Sequence, residues 1–459
     1  MSATHTTDPQ AVRRTFLLDS SASIVLIWAN LGLSMVISIL IARALGPEGK
    51  GVTALVMLLV TQSSGILSLG VEIALIHFVG RQKLALQTIS RTAMGLGLAL
   101  GLAGAAIATL IFWFGFRSLV PAAIHFHFFL LAATIPLVLP AMYLNNLLRV
   151  SGRIIEEGFL GTVRNLVLLP AVVIVVAMSL GIAGVLWAFW AAAVGFAAAS
   201  FVLAARYGIL RGLPRFSYSE SRPLVVYGLK GHLGSVLQSL NYRFDMYIVG
   251  FLLGTGAVGI YSIAVAVAEL LWLLPTVLGA LLMQRVATRT DEQANALMGP
   301  ILRLTSLALL VGSLVWALAG GGLIRLLYGQ AFASAYLPML LLLPGIWALG
   351  LWKNIMNDLS VRGFPLYKTY TTALAVILTV ILDLVLIPLW GIAGAAVASS
   401  VAYCAAFVAA MLLYSRVTAF RAAELLLPRR SDFALARGML QAGVDRFRLA
   451  RLRRTPAVE

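Results

Sequence analysis

One apolar stretch of this sequence, residues 225–253, carries Lys230, His232, Gln238, Asn241, Arg243 and Asp245. Charged groups held in apolar surroundings face a cavity or a partner, because burying them alone is costly. On a helix with Lys230 at zero, Asn241 falls at about 20°, Asp245 at about 60° and Gln238 at about 80°, a stripe about 22 Å long. His232 and Arg243 fall on the other side, at about 200° and 220°. An unbroken helix therefore cannot turn Arg243 and Asp245 into one cavity, whereas a break near Gly234 or at the Asn241 region would allow it. Cations beside amide donors are what an oxyanion needs. A packing role competes with this, in which Arg243 pairs with Glu269 on the next apolar run. Glu72 and Asp383, also in apolar runs, are either partners of these cations or carboxylates that load a proton or a sodium ion, since a buried carboxylate can titrate near neutrality.

The elements that hold these groups are long apolar runs. Of 459 residues, 61% are hydrophobic and 11% charged, a balance foreign to a water-soluble domain, with about a quarter of its residues charged. A bilayer crossing takes about 20 apolar residues. Twelve such runs fit between residues 20 and 414, all continuous rather than alternating, which excludes a β-barrel. The spacing predicts an all-α polytopic membrane protein with a segment 1–19, a six-helix lobe 20–206, a linker 207–224, a second six-helix lobe 225–414 and a basic tail 415–459.

Charge gives the orientation. Of the 34 Lys and Arg, 27 fall on one predicted side, ten of them after Tyr414, and four (Arg43, Lys50, Arg117 and Arg325) on the other. The positive-inside rule then places both termini in the cytoplasm, and the net charge of +17 reads as an orientation signal rather than a nucleic-acid surface. Phe433, Leu440 and Phe447, with arginines between them, predict an amphipathic helix on the anionic leaflet; a docking site for a partner enzyme is the alternative.

The two halves repeat. Leu45-Gly46 and Gly51 match Leu253-Gly254 and Gly259 at an offset of 208, Asn145 and Arg153 match Asn354 and Arg362 at 209, and Gly181-Ile182-Ala183-Gly184 matches Gly391-Ile392-Ala393-Gly394 at 210. Such parallel repeats are typical of transporters with a midplane site between them. The first span has Ala22, Leu33 and Met35 where the seventh has Lys230, Asn241 and Arg243. Only Asn30, the counterpart of Gln238, stays polar there, so the charge is concentrated in the second half.

The stretch Leu40-Ile41-Ala42-Arg43-Ala44-Leu45-Gly46-Pro47-Glu48-Gly49-Lys50-Gly51, with Leu69-Gly70-Val71-Glu72, Leu240-Asn241-Tyr242-Arg243-Phe244-Asp245 and Ala268-Glu269-Leu270-Leu271-Trp272, resembles Wzx-like polysaccharide transporters of the multidrug/oligosaccharidyl-lipid/polysaccharide flippase superfamily. The resemblance implies a bacterial inner-membrane flippase that turns an undecaprenyl-pyrophosphate-linked oligosaccharide to the outer leaflet for surface polysaccharide assembly. On that reading Lys230 and Arg243 attract the pyrophosphate while Asn30, Gln238 and Asn241 bond sugar hydroxyls. Membrane lipids, a polysaccharide polymerase and glycosyltransferases are the implied partners, with no cofactor, metal or nucleic acid. A cation-coupled drug exporter of the same superfamily competes, as does a membrane scaffold of an assembly complex. An enzyme is disfavoured because the outward loops hold one acid, Glu48. The Gly49-Lys50 pair lacks the spacing of a phosphate-binding loop.

Overall fold

The computed structural model describes residues 9–80, 86–210, 212–273, 275, 291–418, 429 and 432, and the regular structure in these residues is entirely helical. In chain order it comprises α1 (Pro9–Leu67), α2 (Val71–Gly80), α3 (Leu86–Ile111) continued by a π-helical turn (Phe112–Phe116), α4 (Ala122–Ala132), α5 (Ile135–Val150), α6 (Ile154–Ala177) and α7 (Gly181–Arg206). Then follow α8 (Tyr218–Asn241), α9 (Phe244–Leu253), α10 (Thr255–Glu269), α11 (Asp291–Tyr328), α12 (Tyr336–Val361), α13 (Pro365–Trp390) and α14 (Ile392–Thr418).

Ten segments among the described residues are long and apolar enough to cross a membrane. Twelve crossings are compatible with this. Trp28–Leu67 counts once although Gly46, at φ 65° and followed by Pro47, divides α1 in two. The α8–α9 pair falls short because its polar residues make it the least apolar of the long elements and because it is interrupted after Asn241. Outward faces are lipid-like: Leu310, Val311, Leu314 and Leu318 of α11 are all exposed at helical spacing, a face that would drive association in water. The basic amphipathic segment expected at Phe433–Phe447 lies outside the described residues.

The chain forms two compact units, one of residues 1–262 with 325–333 and the other of 263–324 with 334–459. In the first, small residues let helices approach, as lipid-embedded interfaces require. A Cβ on Gly101 would stand 2.5 Å from the Pro136 Cα and one on Gly97 2.9 Å from that of Pro140. Pro136 and Pro140 are thus packing surfaces for α3. The repeat landmarks also meet here. A Cβ on Gly51 would lie 1.7 Å from the Thr255 carbonyl oxygen, and one on Gly259 1.9 Å from that of Pro47. Since Gly51 and Gly259, and Pro47 and Thr255, are the same positions of the two repeats, this contact is its own mirror: each glycine receives the other segment's carbonyl. Beside it Arg43 donates from Nε to the Leu327 carbonyl at 2.7 Å and from a second nitrogen to that of Leu326.

At the arginine-rich end of this unit, Arg149 pairs with Glu157, Arg153 approaches Glu156 at 3.5 Å, and the Arg153 guanidinium lies over the Tyr207 ring at 4.4 Å. Both arginine side chains are about half exposed. The second unit has a different corner. Arg362 donates to the Asp358 carboxylate at 2.7 Å, the Tyr414 hydroxyl donates to the same oxygen at 2.9 Å, and the Asp358 side chain is 1% exposed. Arg303 of α11 also forms two hydrogen bonds, of 2.6 and 2.7 Å, with the tail carboxylate of Asp432, both side chains being buried.

Candidate functional site

The polar residues of the seventh apolar run are held on α8 and α9, and the chain breaks between them. Helix α8 ends at Asn241, Tyr242 closes it, and Arg243, at φ −137°, precedes α9. One of the two places where the sequence admitted a break is therefore the place where the helix stops. Its cause is tertiary: Asp245, in the first turn of α9, accepts from the Met246 backbone N–H at 2.8 Å and from the Tyr261 hydroxyl at 2.6 Å. A carboxylate there satisfies an end-of-helix donor and complements the helix dipole.

One face of α8 is committed to α2 and the end of α1. Gly228 meets Gly70 backbone to backbone. His232 bonds the Ile66 carbonyl at 2.8 Å and Ser239 donates to Gln62 at 2.6 Å; Tyr227, at about 60° on the stripe's side, also reaches α2, its hydroxyl 3.0 Å from His77 Nδ1. Gly228, His232 and Ser239 fall at about 160°, 200° and 180° from Lys230. The packed face is thus opposite the predicted stripe, and His232 is a structural residue.

On the other face Lys230 is exposed, Gln238 is half-buried and donates to the Tyr242 hydroxyl at 2.7 Å, and Asn241 is buried. The half-buried Arg243 donates to the Tyr242 carbonyl at 3.1 Å. Asp245 is buried and spends both oxygens within the fold. Lys230 has exposed Val226, Leu229 and Leu233 on one flank, within about 100° of it, and Asn241 and Gln238 on the other, within about 80°. A cation between a hydrocarbon flank and an amide flank suits an amphiphile whose charge separates its apolar and polar parts.

Asn30 is engaged elsewhere. Asn165 of α6 donates to the Asn30 side-chain and backbone oxygens and to the Ser34 hydroxyl, the last at 2.8 Å. Asn165, buried in an apolar helix, is a polar anchor that the sequence signalled but that sequence reasoning passed over. Glu72 accepts from the Ser68 hydroxyl at 3.1 Å, and the Tyr143 hydroxyl donates to the Ser68 carbonyl at 2.8 Å. The second Glu72 oxygen is buried with no hydrogen-bond partner among the described residues. In the second unit Asp383 is fully buried on α13, Glu269 is half-buried at the end of α10, and Lys353 lies 3.7 Å from the centre of the Trp272 ring. Among the described residues no three His, Cys, Asp or Glu side chains gather as metal ligands would.

Over residues 17–287, more than half of the chain, the sequence matches the family described as Polysaccharide biosynthesis protein. The Probable flippase AglR of Haloferax volcanii is 29% identical over 210 residues, a match spanning 44% of this chain and 39% of that relative's length. In fold the chain is similar to the Lipid II flippase MurJ in its inward closed conformation, with a TM-score of 0.75, 12% identity and 89% of each chain covered. It is also similar to the inward-facing conformation of a multidrug resistance MATE family transporter of the MOP superfamily, with a TM-score of 0.66, 13% identity, and 86% of this chain and 98% of that one covered. At these identities the two likenesses speak for the fold.

Proposed function

We propose, from the premise that the chain belongs to the polysaccharide biosynthesis protein family and is a multi-pass membrane transporter of the flippase type, that its substrate is an undecaprenyl-pyrophosphate-linked oligosaccharide. The observation that carries this is the exposed Lys230 on α8, set between an apolar and an amide flank. The pyrophosphate meets Lys230, the prenyl chain follows Val226, Leu229 and Leu233, and the sugar hydroxyls bond to Asn241 and Gln238. No covalent bond changes; the two six-helix lobes, 20–206 and 225–414, rock and expose the substrate first to the cytoplasm and then outside. In this reading both termini and the arginine-rich loops are cytoplasmic, in a bacterial inner membrane.

Proteoliposomes loaded with the labelled lipid-linked oligosaccharide test the proposal. Lys230→Ala should slow flipping about tenfold, the loss of one charge-assisted hydrogen bond, and Lys230→Arg should retain most of the rate. Flipping unchanged in Lys230→Ala overturns it. The buried Glu72 oxygen supports a further part of the reading, that this carboxylate couples an ion to the cycle; flipping indifferent to both a pH and a sodium gradient removes that part. The fully buried Asp383 favours one competing function, a cation-coupled drug antiporter. In that case a lipophilic cation leaves proteoliposomes in an Asp383-dependent manner and the oligosaccharide stays where it is.

A further inference from the structure

At the end of α3 furthest from the arginine-rich loops, the helix widens into the π-helical turn Phe112–Phe116, closed by the Arg117 N–H on the Phe112 carbonyl at 2.8 Å. Such turns are rare and recur at functional sites. Here the turn is anchored from within, with Phe112 stacked on Phe128 at 4.0 Å and Phe116 against Phe251 at 4.5 Å. It throws Trp113, Phe114 and Arg117 outward, all exposed, and with Ser118 and His125 they line an open cavity of 370 Å³. That is within the range of small-ligand sites, which begin at about 300 Å³.

The lining has a definite chemistry. The Arg117 guanidinium lies 4.2 Å from the centre of the Trp113 ring, which fixes its plane while leaving its N–H edge for an acceptor. Among the described residues no carboxylate lines the cavity. His125 Nε2 sits 3.0 Å from the Val120 carbonyl and 3.2 Å from that of Arg117. Since carbonyls only accept, that nitrogen carries the hydrogen and Nδ1 of the neutral ring is an acceptor. Of the three other basic residues predicted on this side, Arg43 is committed to the Leu326 and Leu327 carbonyls, Lys50 to the Ser38 hydroxyl, and Arg325 is exposed at the end of α11, outside the cavity lining. Trp113 and Phe114 of the lining are exposed, and so are Leu110 and Phe126 on the two helices that frame it, as side chains are where a helix leaves the hydrocarbon and aromatic rings sit among headgroups.

We propose that this cavity binds the headgroup of an anionic phospholipid bearing free hydroxyls, of the phosphatidylglycerol type. The phosphate takes two N–H groups of Arg117, the glycerol hydroxyls bond Ser118 and His125 Nδ1, and an acyl chain follows Phe114 and Leu110. A headgroup with its own amine is disfavoured, because its positive charge meets Arg117 with no acid to receive it. The leaflet, the extracytoplasmic one, rests on the orientation proposed above; the binding chemistry does not.

Native mass spectrometry of the full-length protein, released from micelles containing equal amounts of phosphatidylglycerol and phosphatidylcholine, tests the site. The wild type should retain phosphatidylglycerol about tenfold over phosphatidylcholine, Arg117→Gln should abolish the preference and Arg117→Lys should keep part of it. Lys230→Ala should leave the preference intact, so that failure here is separable from failure of the substrate reading. Equal retention of the two lipids by the wild type overturns the proposal, as does an undiminished preference in Arg117→Gln. Displacement of the lipid by an equal concentration of soluble glycerol phosphate also overturns it, because the ligand would then be a free phosphate.

Discussion

At the arginine-rich ends of the two repeats, the same three positions are built in opposite ways. Asn145, Arg149 and Arg153 of the first correspond to Asn354, Asp358 and Arg362 of the second, at an offset of 209, so one charge is reversed where Arg149 becomes Asp358. In the first repeat the two arginines turn outward to Glu156 and Glu157, and Tyr207 supplies only a ring face. In the second, the acid draws Arg362 and the Tyr414 hydroxyl inward into a buried triad. The sign change at Arg149/Asp358, with Pro365 and Leu366 standing where the first repeat has Glu156 and Glu157, goes with an ion pair that lies at the rim in one repeat and in the interior in the other. The reciprocal contact of Gly51 and Gly259 shows the opposite behaviour. There the segments touch each other, each glycine needs the space the other's carbonyl fills, and neither position can drift alone.

The comparison can be broken by substitution. Asp358→Ala removes the buried carboxylate shared by Arg362 and Tyr414 and should cost about 3–5 kcal/mol, read as a fall in the thermal unfolding midpoint in detergent. Gly51→Ala and Gly259→Ala should each cost about 1–3 kcal/mol as overpacking against backbone; equal losses sharpen the symmetry, and a loss at one position only breaks it. Tyr414→Phe removes one hydrogen bond to a charge and should cost about 1.5 kcal/mol, whereas Tyr207→Phe, which keeps the ring face, should cost nothing measurable. Glu157→Ala at the exposed corner should cost less than about 1 kcal/mol, and less still in high salt.

The smallest effect is that of pH on the tail. The Arg303 guanidinium beside Asp432 holds its carboxyl below the usual carboxylate range. A carboxylate with a depressed pKa stabilises the fold above its unfolded value and loses that contribution as pH falls through the folded one. Hydrogen exchange of the Arg429 amide, which donates to Asp432 at 2.7 Å, should therefore show the same protection factor from pH 5 to 8 and lose protection only at more acidic pH.

The helices were legible because the bilayer demands long apolar runs, and the glycine landmarks because the repeat preserved them. That His232 faces away from Lys230 was legible from helical periodicity, whereas Asp245 lies beyond the break, on α9, where that periodicity does not reach. The break after Asn241 was admitted but not fixed, because what holds it is Tyr261, a full helix away from Arg243. Asn30 was placed with Gln238 by repeat symmetry, but its bonding depends on Asn165, 135 residues on, and no local pattern joins them. Asp358 and Asp432 escaped notice for the same reason: each lies beside polar neighbours, where an acid looks solvated until its partner is known.

The pairing of Arg303 with Asp432 ties the end of the chain to its assembly. The carboxylate arrives 129 residues after the arginine, so at a synthesis rate of about 5–20 residues per second α11 exists for roughly ten seconds before its ion pair can close. During that interval Arg303 lacks the carboxylate its buried site is shaped for. Truncation before residue 432 makes the interval permanent, so the arrival of Asp432 marks the membrane domain as finished.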